Sequence, residues 1–136
     1  MKFTLIKPTR ADMKAQFDLI KPAFNGVHCA KAEFDFCRDA VTKKQASFYH
    51  LKGVGVSVRF IGLVTSDNDY LILAMTGKGL LKAAPCIIEA VKSQGYRSIK
   101  YHTVRQGMKR ILRPFGFVES DKTEHDSVLS LMLEGC

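Results

Sequence analysis

The sequence predicts a mixed α/β fold, a mostly antiparallel central sheet flanked by helices, on three observations. The chain has 136 residues, 46% of them hydrophobic and 25% charged, a composition typical of a globular domain long enough to bury a core without staples. Three runs rich in β-branched and aromatic residues follow one another between positions 47 and 75. Segments of helical periodicity stand before and after them, the later one entered through a glycine turn. Residues 1–136 are read as one domain, without repeat, linker or low-complexity segment.

Residues 3–7 alternate and are closed by Pro8, which removes a ladder donor, so they form a first strand. Thr9 or Asp12 can cap the next segment, where Met13, Phe17, Leu19, Ile20 and Phe24 recur at helical spacing. Pro22 should break or kink it, and Asn25-Gly26 supplies a turn. From about Lys31 a second helix places Phe34, Cys37, Ala40 and Val41 on one side; Glu33 and the other charged residues fall mostly elsewhere. Residues 47–52, 56–64 and 70–75 are strands of an antiparallel meander, joined by turns at Gly53/Gly55 and 66–69. Phe34, Phe36, Phe48 and Phe60 are assigned to the core. Thr76-Gly77-Lys78-Gly79 leads into a helix over 80–94, read as central and buried, with Pro85 expected to kink it and Gly95 as its cap. A strand (98–103), a short basic helix (106–114), a strand from Gly116 and a last strand (127–133) complete the chain.

The composition excludes several classes. The longest apolar run, 71–75, is far short of the roughly 20 residues of a bilayer span. The N-terminus lacks a secretory pattern, so a cytoplasmic protein without membrane association is expected. Cys29, Cys37, Cys86 and Cys136 are irregularly spaced, which suits reduced thiols, and His28, Cys29, Cys37 and His50 match no zinc spacing, so no metal is expected. The net charge is +8 and unevenly distributed. Residues 90–118 hold seven cations (Lys92, Arg97, Lys100, Arg105, Lys109, Arg110, Arg113) and no anion, whereas 119–136 hold one lysine against five carboxylates. Such a block is either a solvated face or a site for a polyanion, a phosphorylated cofactor or nucleic acid.

The order β-α-α-β-β-β-α-β-α-β-β resembles the GNAT superfamily of N-acetyltransferases over nearly the whole chain. Locally the likeness rests on Gly77-Lys78-Gly79-Leu80-Leu81 and on Lys109-Arg110-Ile111-Leu112-Arg113-Pro114-Phe115-Gly116-Phe117. In the family the first piece corresponds to the pyrophosphate loop of coenzyme A, where free N–H groups at a helix start receive phosphate. The resemblance implies acetyl-CoA or CoA as cofactor, held by Met75, Thr76, Gly77, Lys78, Gly79, Arg105 and Lys109, and acetyl transfer to an amine as activity. Where the family has Arg or Gln before the loop this chain has Ala74; Leu112 stands for its thiolate-protonating tyrosine and Arg105 for its asparagine. No carboxylate lies within 56–64 or 70–75, the usual place of the base. His102 and Tyr101, at the end of the strand after the long helix, are the catalytic candidates: histidine is the side-chain type suited to accepting an amine's proton, and alternation puts the two on opposite faces. Two further readings remain open. One is a catalytically silent binding or assembly module with an unknown protein partner; small internal virion proteins of tailed phages are similar in length, in Thr76-Gly77-Lys78 and in Ile6-Lys7-Pro8-Thr9. The other is a nucleic-acid-binding module, for which aromatic stacking groups beside the charge are few.

Overall fold

Alternating apolar residues at one end of the chain and Pro8 at its close yield β1 (Lys2–Leu5), whose ladder runs on through Ile6 N–H to Phe48 O at 2.8 Å. The computed structural model describes residues 1–27, 29–103, 106–122 and 127–133. α1 (Met13–Ile20) ends where Pro22 requires, in a 3₁₀ turn over Lys21–Phe24. Asp12 sits at its N-cap, but its carboxylate accepts from Gln16 and Arg10 side chains instead of from backbone. α2 (Ala30–Thr42) buries Cys37, Ala40 and Val41. β2 (Ser47–Gly53), β3 (Val56–Val64) and β4 (Asp69–Lys78) form the expected antiparallel meander. α3 (Leu80–Ser93), β5 (Ser98–Thr103), α4 (Gln106–Leu112), a 3₁₀ turn (Arg113–Phe115), β6 (Val118–Lys122) and β7 (Ser127–Met132) follow.

The strands join in one seven-stranded sheet of order β1-β2-β3-β4-β5-β7-β6, antiparallel except between β4 and β5. That parallel pair is the consequence of the α3 crossover, since a strand that returns through a helix lies parallel to the strand it left. β7 slips between β5 and β6 and pairs with both. One face of the sheet carries α1 and α2 over a core centred on Phe48, Ile61, Phe17 and Ile20; the other carries α3 and α4 over Val58, Phe60, Ile72 and Ile99.

Three expectations are corrected. β4 runs three residues further than 70–75, through Lys78, because β3 supplies partners back to Ser57 and Gly77 offers no side chain to obstruct them. α3 is not buried all round: it lies on the outside of the sheet, buries Ala83, Ala84, Ile87 and Val91, and leaves Leu81 62% exposed. Phe36 is not a core residue but 55% exposed, since Phe34 and Cys37 hold the covered side of α2. Among the described residues no helix is long and apolar enough to cross a membrane.

Candidate cleft between two parting strands

β4 and β5 begin clamped together. Asp69, 1% exposed at the start of β4, accepts from Arg97 Nε (3.1 Å) and Nη2 (3.0 Å) and from Ser98 Oγ (2.6 Å), with Lys100 Nζ at 3.2 Å. The Arg97 hydrogen bond, the first of these influences, holds the carboxyl well below the usual carboxylate range, with Ser98 and Lys100 adding to it. The strands then pair at four positions, from Asp69↔Ser98 to Ile72↔Tyr101, and part. The parting coincides with a β-bulge. Gly62 of β3 faces Ile72 while Ile61 faces Ala74, so Leu73 is opposite no residue, and an extra residue bends and twists the strand that carries it. From Leu73 to Lys78 the edge of β4 turned toward β5 therefore has no strand partner among the described residues.

The gap has two chemically different sides. On the α1/α2 side Phe24, Val27, Glu33, Ala74, His102 and Thr103 surround about 30 Å³. On the α3/α4 side Met75, Ala84, Ile88, Leu112 and Phe117 surround about 20 Å³ of apolar space. Tyr101 borders both, is 4% exposed, and is the one ionisable side chain among the described residues that line the α3/α4 space. His102, half-buried, is on the α1/α2 side. Alternation along β5 thus separates the two candidates and leaves both at the gap. Glu33 was not anticipated there. It comes from the first turn of α2, and its spacing, four before Cys37 and seven before Ala40, sets it on the buried line of that helix. Its charge is felt by Cys37, whose thiol burial pushes up to about 12 with Glu33 contributing.

The glycine segment is more strand than loop. Thr76, Gly77 and Lys78 pair with Arg59, Val58 and Ser57, and only Gly79 separates β4 from α3. A Cβ on Gly77 would meet Ser57 O at 2.0 Å, and one on Gly79 would meet Gly55 O at 2.3 Å. Both glycines are thus required by β3, and Gly79 also by its left-handed φ of 78°. The start of α3 still suits an anion: it has no acidic residue in its first turn and no side-chain cap, Lys82 and Ala83 N–H turn back to Gly79 O, and Lys78 is exposed beside it. Met75 is buried on the α3/α4 side. Lys109 is engaged by Glu119, and Arg105 lies outside the described residues. With Arg97 and Lys100 held by Asp69, three of the seven clustered cations are ion-paired.

No protein-family model and no curated protein matches the sequence. Solved structures do match, over almost the full length of both chains. An aminoglycoside 6'-acetyltransferase type Ii superposes with TM-score 0.65 at 10% identity, covering 98% of this chain and 97% of the other. An IAA acetyltransferase from Bacillus cereus gives 0.64 at 15% identity, with 97% and 99% coverage. The PaiA N-acetyltransferase from Thermoplasma acidophilum, in complex with coenzyme A, gives 0.67 at 10% identity, with 97% and 99% coverage. Likeness at such identities speaks to architecture, and the architecture is that expected from the element order: this chain has the GNAT fold.

Proposed function

We propose that this chain binds coenzyme A or an acyl-CoA along the edge of β4 that faces the gap, with an amine as acyl acceptor on the α1/α2 side. The observation that carries the reading is the parting of β4 from β5 beside the start of α3. It puts backbone groups that lack a strand partner among the described residues next to an anion-favouring helix end. Acyl-CoA supplies the thioester, an acyl group on a thiolate leaving group. The N–H groups at the start of α3 and the Lys78 ammonium hold phosphate; the backbone groups of Leu73–Lys78 that face the gap orient an amide-bearing arm as an added strand would. His102, with Glu33 bordering the same space, accepts the proton that the amine sheds, and Tyr101 donates its phenolic proton on the other side, in the role that Leu112 cannot fill. Meeting coenzyme A in the solved PaiA complex of the same fold supports the cofactor class.

A thermal shift measurement tests the binding. CoA at a hundred times its Kd stabilises by about 2.7 kcal/mol, a rise of roughly 10 °C for a chain of this size. Leu81→Glu adds a carboxylate to the first turn of α3 at a 62% exposed position. It should raise the Tm of the free protein slightly through the helix dipole and weaken CoA binding. Absence of any shift at millimolar CoA overturns the reading and leaves the silent binding module. For the transfer step, His102→Ala should remove acetylation of a polyamine or peptide amine while leaving the CoA shift in place.

A further inference from the structure

The face of the sheet that carries α1 and α2 changes character from one cross-strand row to the next. Ile6, Phe48, Ile61 and Ala74 lie side by side across β1–β4 and are buried beneath those helices. Two residues along each strand, alternation returns the side chains to the same face. There the row is Thr4, His50, Arg59 and Thr76, and after two more residues it is Lys2, Lys52, Ser57 and Lys78. None of these eight is buried and none is acidic. Lys2 stands directly opposite Lys52, a like-charge cross-strand pair that works against the sheet. Arg59 Nε donates to the neutral Gln16 Oε1 at 3.2 Å, and Asp12, which Gln16 also contacts, is paired with Arg10. Among the described residues no carboxylate pairs with Lys2, Lys52, Arg59 or Lys78. The pKa of His50 is lowered by burial first and then by Arg59 and Lys52, as expected inside a positive field.

At its β4 end this basic patch meets the gap. Thr76 is two residues beyond Ala74, which lines the space beside His102. Glu33 is the one carboxylate that lines this space among the described residues. The face therefore runs from negative at the gap to positive toward β1, and its complement is a ligand with an ammonium at one end and carboxylates after it. From Thr76 to Thr4 is three strand spacings, about 14 Å, which an extended peptide covers in about four residues. A nucleic acid would also supply anions, but it offers no aliphatic amine to acylate, and neither row holds an aromatic platform for bases beyond His50. A cationic polyamine is repelled by the same four side chains.

We propose that the acyl acceptor is the amino terminus of an acidic polypeptide, its amine beside Glu33 and His102 and its next residues laid over Arg59, Lys52 and Lys2. The assignment rests on the reading of the cleft as an acyl-transfer site, and it makes Arg59 and Lys52 specificity-determining residues. The amine nitrogen forms its bond to the thioester carbonyl carbon as the C–S bond breaks. The proton that the amine sheds goes to His102, and the departing thiolate takes one from Tyr101, which leaves an amide and the free CoA thiol.

Two peptides that differ only in charge, Ala-Asp-Glu-Asp-Glu-Tyr and Ala-Asn-Gln-Asn-Gln-Tyr, are the probes. Titrated calorimetrically without cofactor at low salt, the acidic peptide should bind about tenfold more tightly, the sum of two or three exposed ion pairs. Added salt should erode that advantage by screening. With acetyl-CoA present, the acidic peptide should show the lower KM and an equal kcat. Lys52→Glu, at an exposed position, should remove the preference and leave the CoA thermal shift in place. It should also raise the Tm of the free protein, because it turns the repulsion from Lys2 into attraction. A lysine with only a structural role would not move Tm and KM upward together. Arg59→Gln should likewise raise KM for the acidic peptide without changing kcat. A CoA shift with equal binding and turnover of the two peptides overturns the acceptor assignment alone. So does an acidic preference that survives Lys52→Glu combined with Arg59→Gln, or acetylation of spermidine in preference to the acidic peptide. Absence of a CoA shift overturns the cleft reading itself, and the acceptor assignment falls with it.

Discussion

Asp69→Asn removes one negative charge from the place where β4 and β5 are held together. The carboxylate is 1% exposed and receives two bonds from Arg97, one from Ser98 and the ammonium of Lys100. Breaking a buried ion pair from one side costs about 3–5 kcal/mol. Arg97 and Lys100 are 41% and 34% exposed, so water recovers part of their solvation and the lower end applies, about 3 kcal/mol. For a chain of this length that is a fall in Tm of roughly 10 °C near pH 7. The folded-state pKa of Asp69 is depressed. Its contribution is therefore complete above the unfolded value near 4 and is lost as pH falls further toward the folded value. Calorimetry of both proteins from pH 7 to pH 3 should show the gap constant at first and narrowing below about pH 4. A variant within 2 °C of the parent at pH 7, or a gap unchanged down to pH 3, refutes the clamp.

Gly77→Ala should destabilise more than Gly95→Ala. The first puts a Cβ at 2.0 Å from Ser57 O, while the second meets nothing within 4 Å and costs only left-handed strain of about 1–2 kcal/mol; equal losses in denaturant titrations would contradict it. Cys37, with its thiol pushed up to about 12, should resist a short maleimide pulse at mild alkaline pH that modifies exposed Cys29, as mapped by peptide mass spectrometry. Comparable labelling of the two would show α2 to be open.

The element order was legible because each element carries its own punctuation. Pro8 closes β1, Pro22 ends α1, and Gly95 and Gly116 adopt the left-handed conformation that ends a helical segment. The meander was legible from β-branched runs of strand length. What the sequence hid is pairing. Nothing local says that β4 continues through Thr76-Gly77-Lys78, because the reason is β3, whose backbone lies too close to Gly77 for any side chain. The bulge at Leu73 is likewise a property of two strands. α3 was read as buried all round because its apolar count is high, but exposure depends on what lies opposite, and its outer side faces water at Leu81. Of the candidate site, Tyr101 and His102 were legible through the two-residue strand period. Glu33 was missed because a first-turn carboxylate is ordinarily a helix-dipole group; its place on the Cys37 line was the available signal. Lys109 was counted with the free cations because its partner Glu119 lies across a turn.

A strand's two-residue period bears directly on the chemistry proposed for the cleft. Acyl transfer from a thioester to an amine needs a base where the amine enters and an acid where the thiolate departs, and these must not neutralise each other by direct contact. Two consecutive residues on one strand meet that requirement without a loop, because their side chains leave opposite faces of the sheet. Tyr101 and His102 are such a pair. The gap between β4 and β5 is where both faces can reach one ligand, since anywhere else in the sheet a neighbouring strand stands between them. The clamp at Asp69 and the bulge at Leu73 fix where that gap begins, immediately beyond Tyr101. The position of the cleft and the separation of its candidate acid and base thus have one cause, the register in which β5 is fastened to the start of β4.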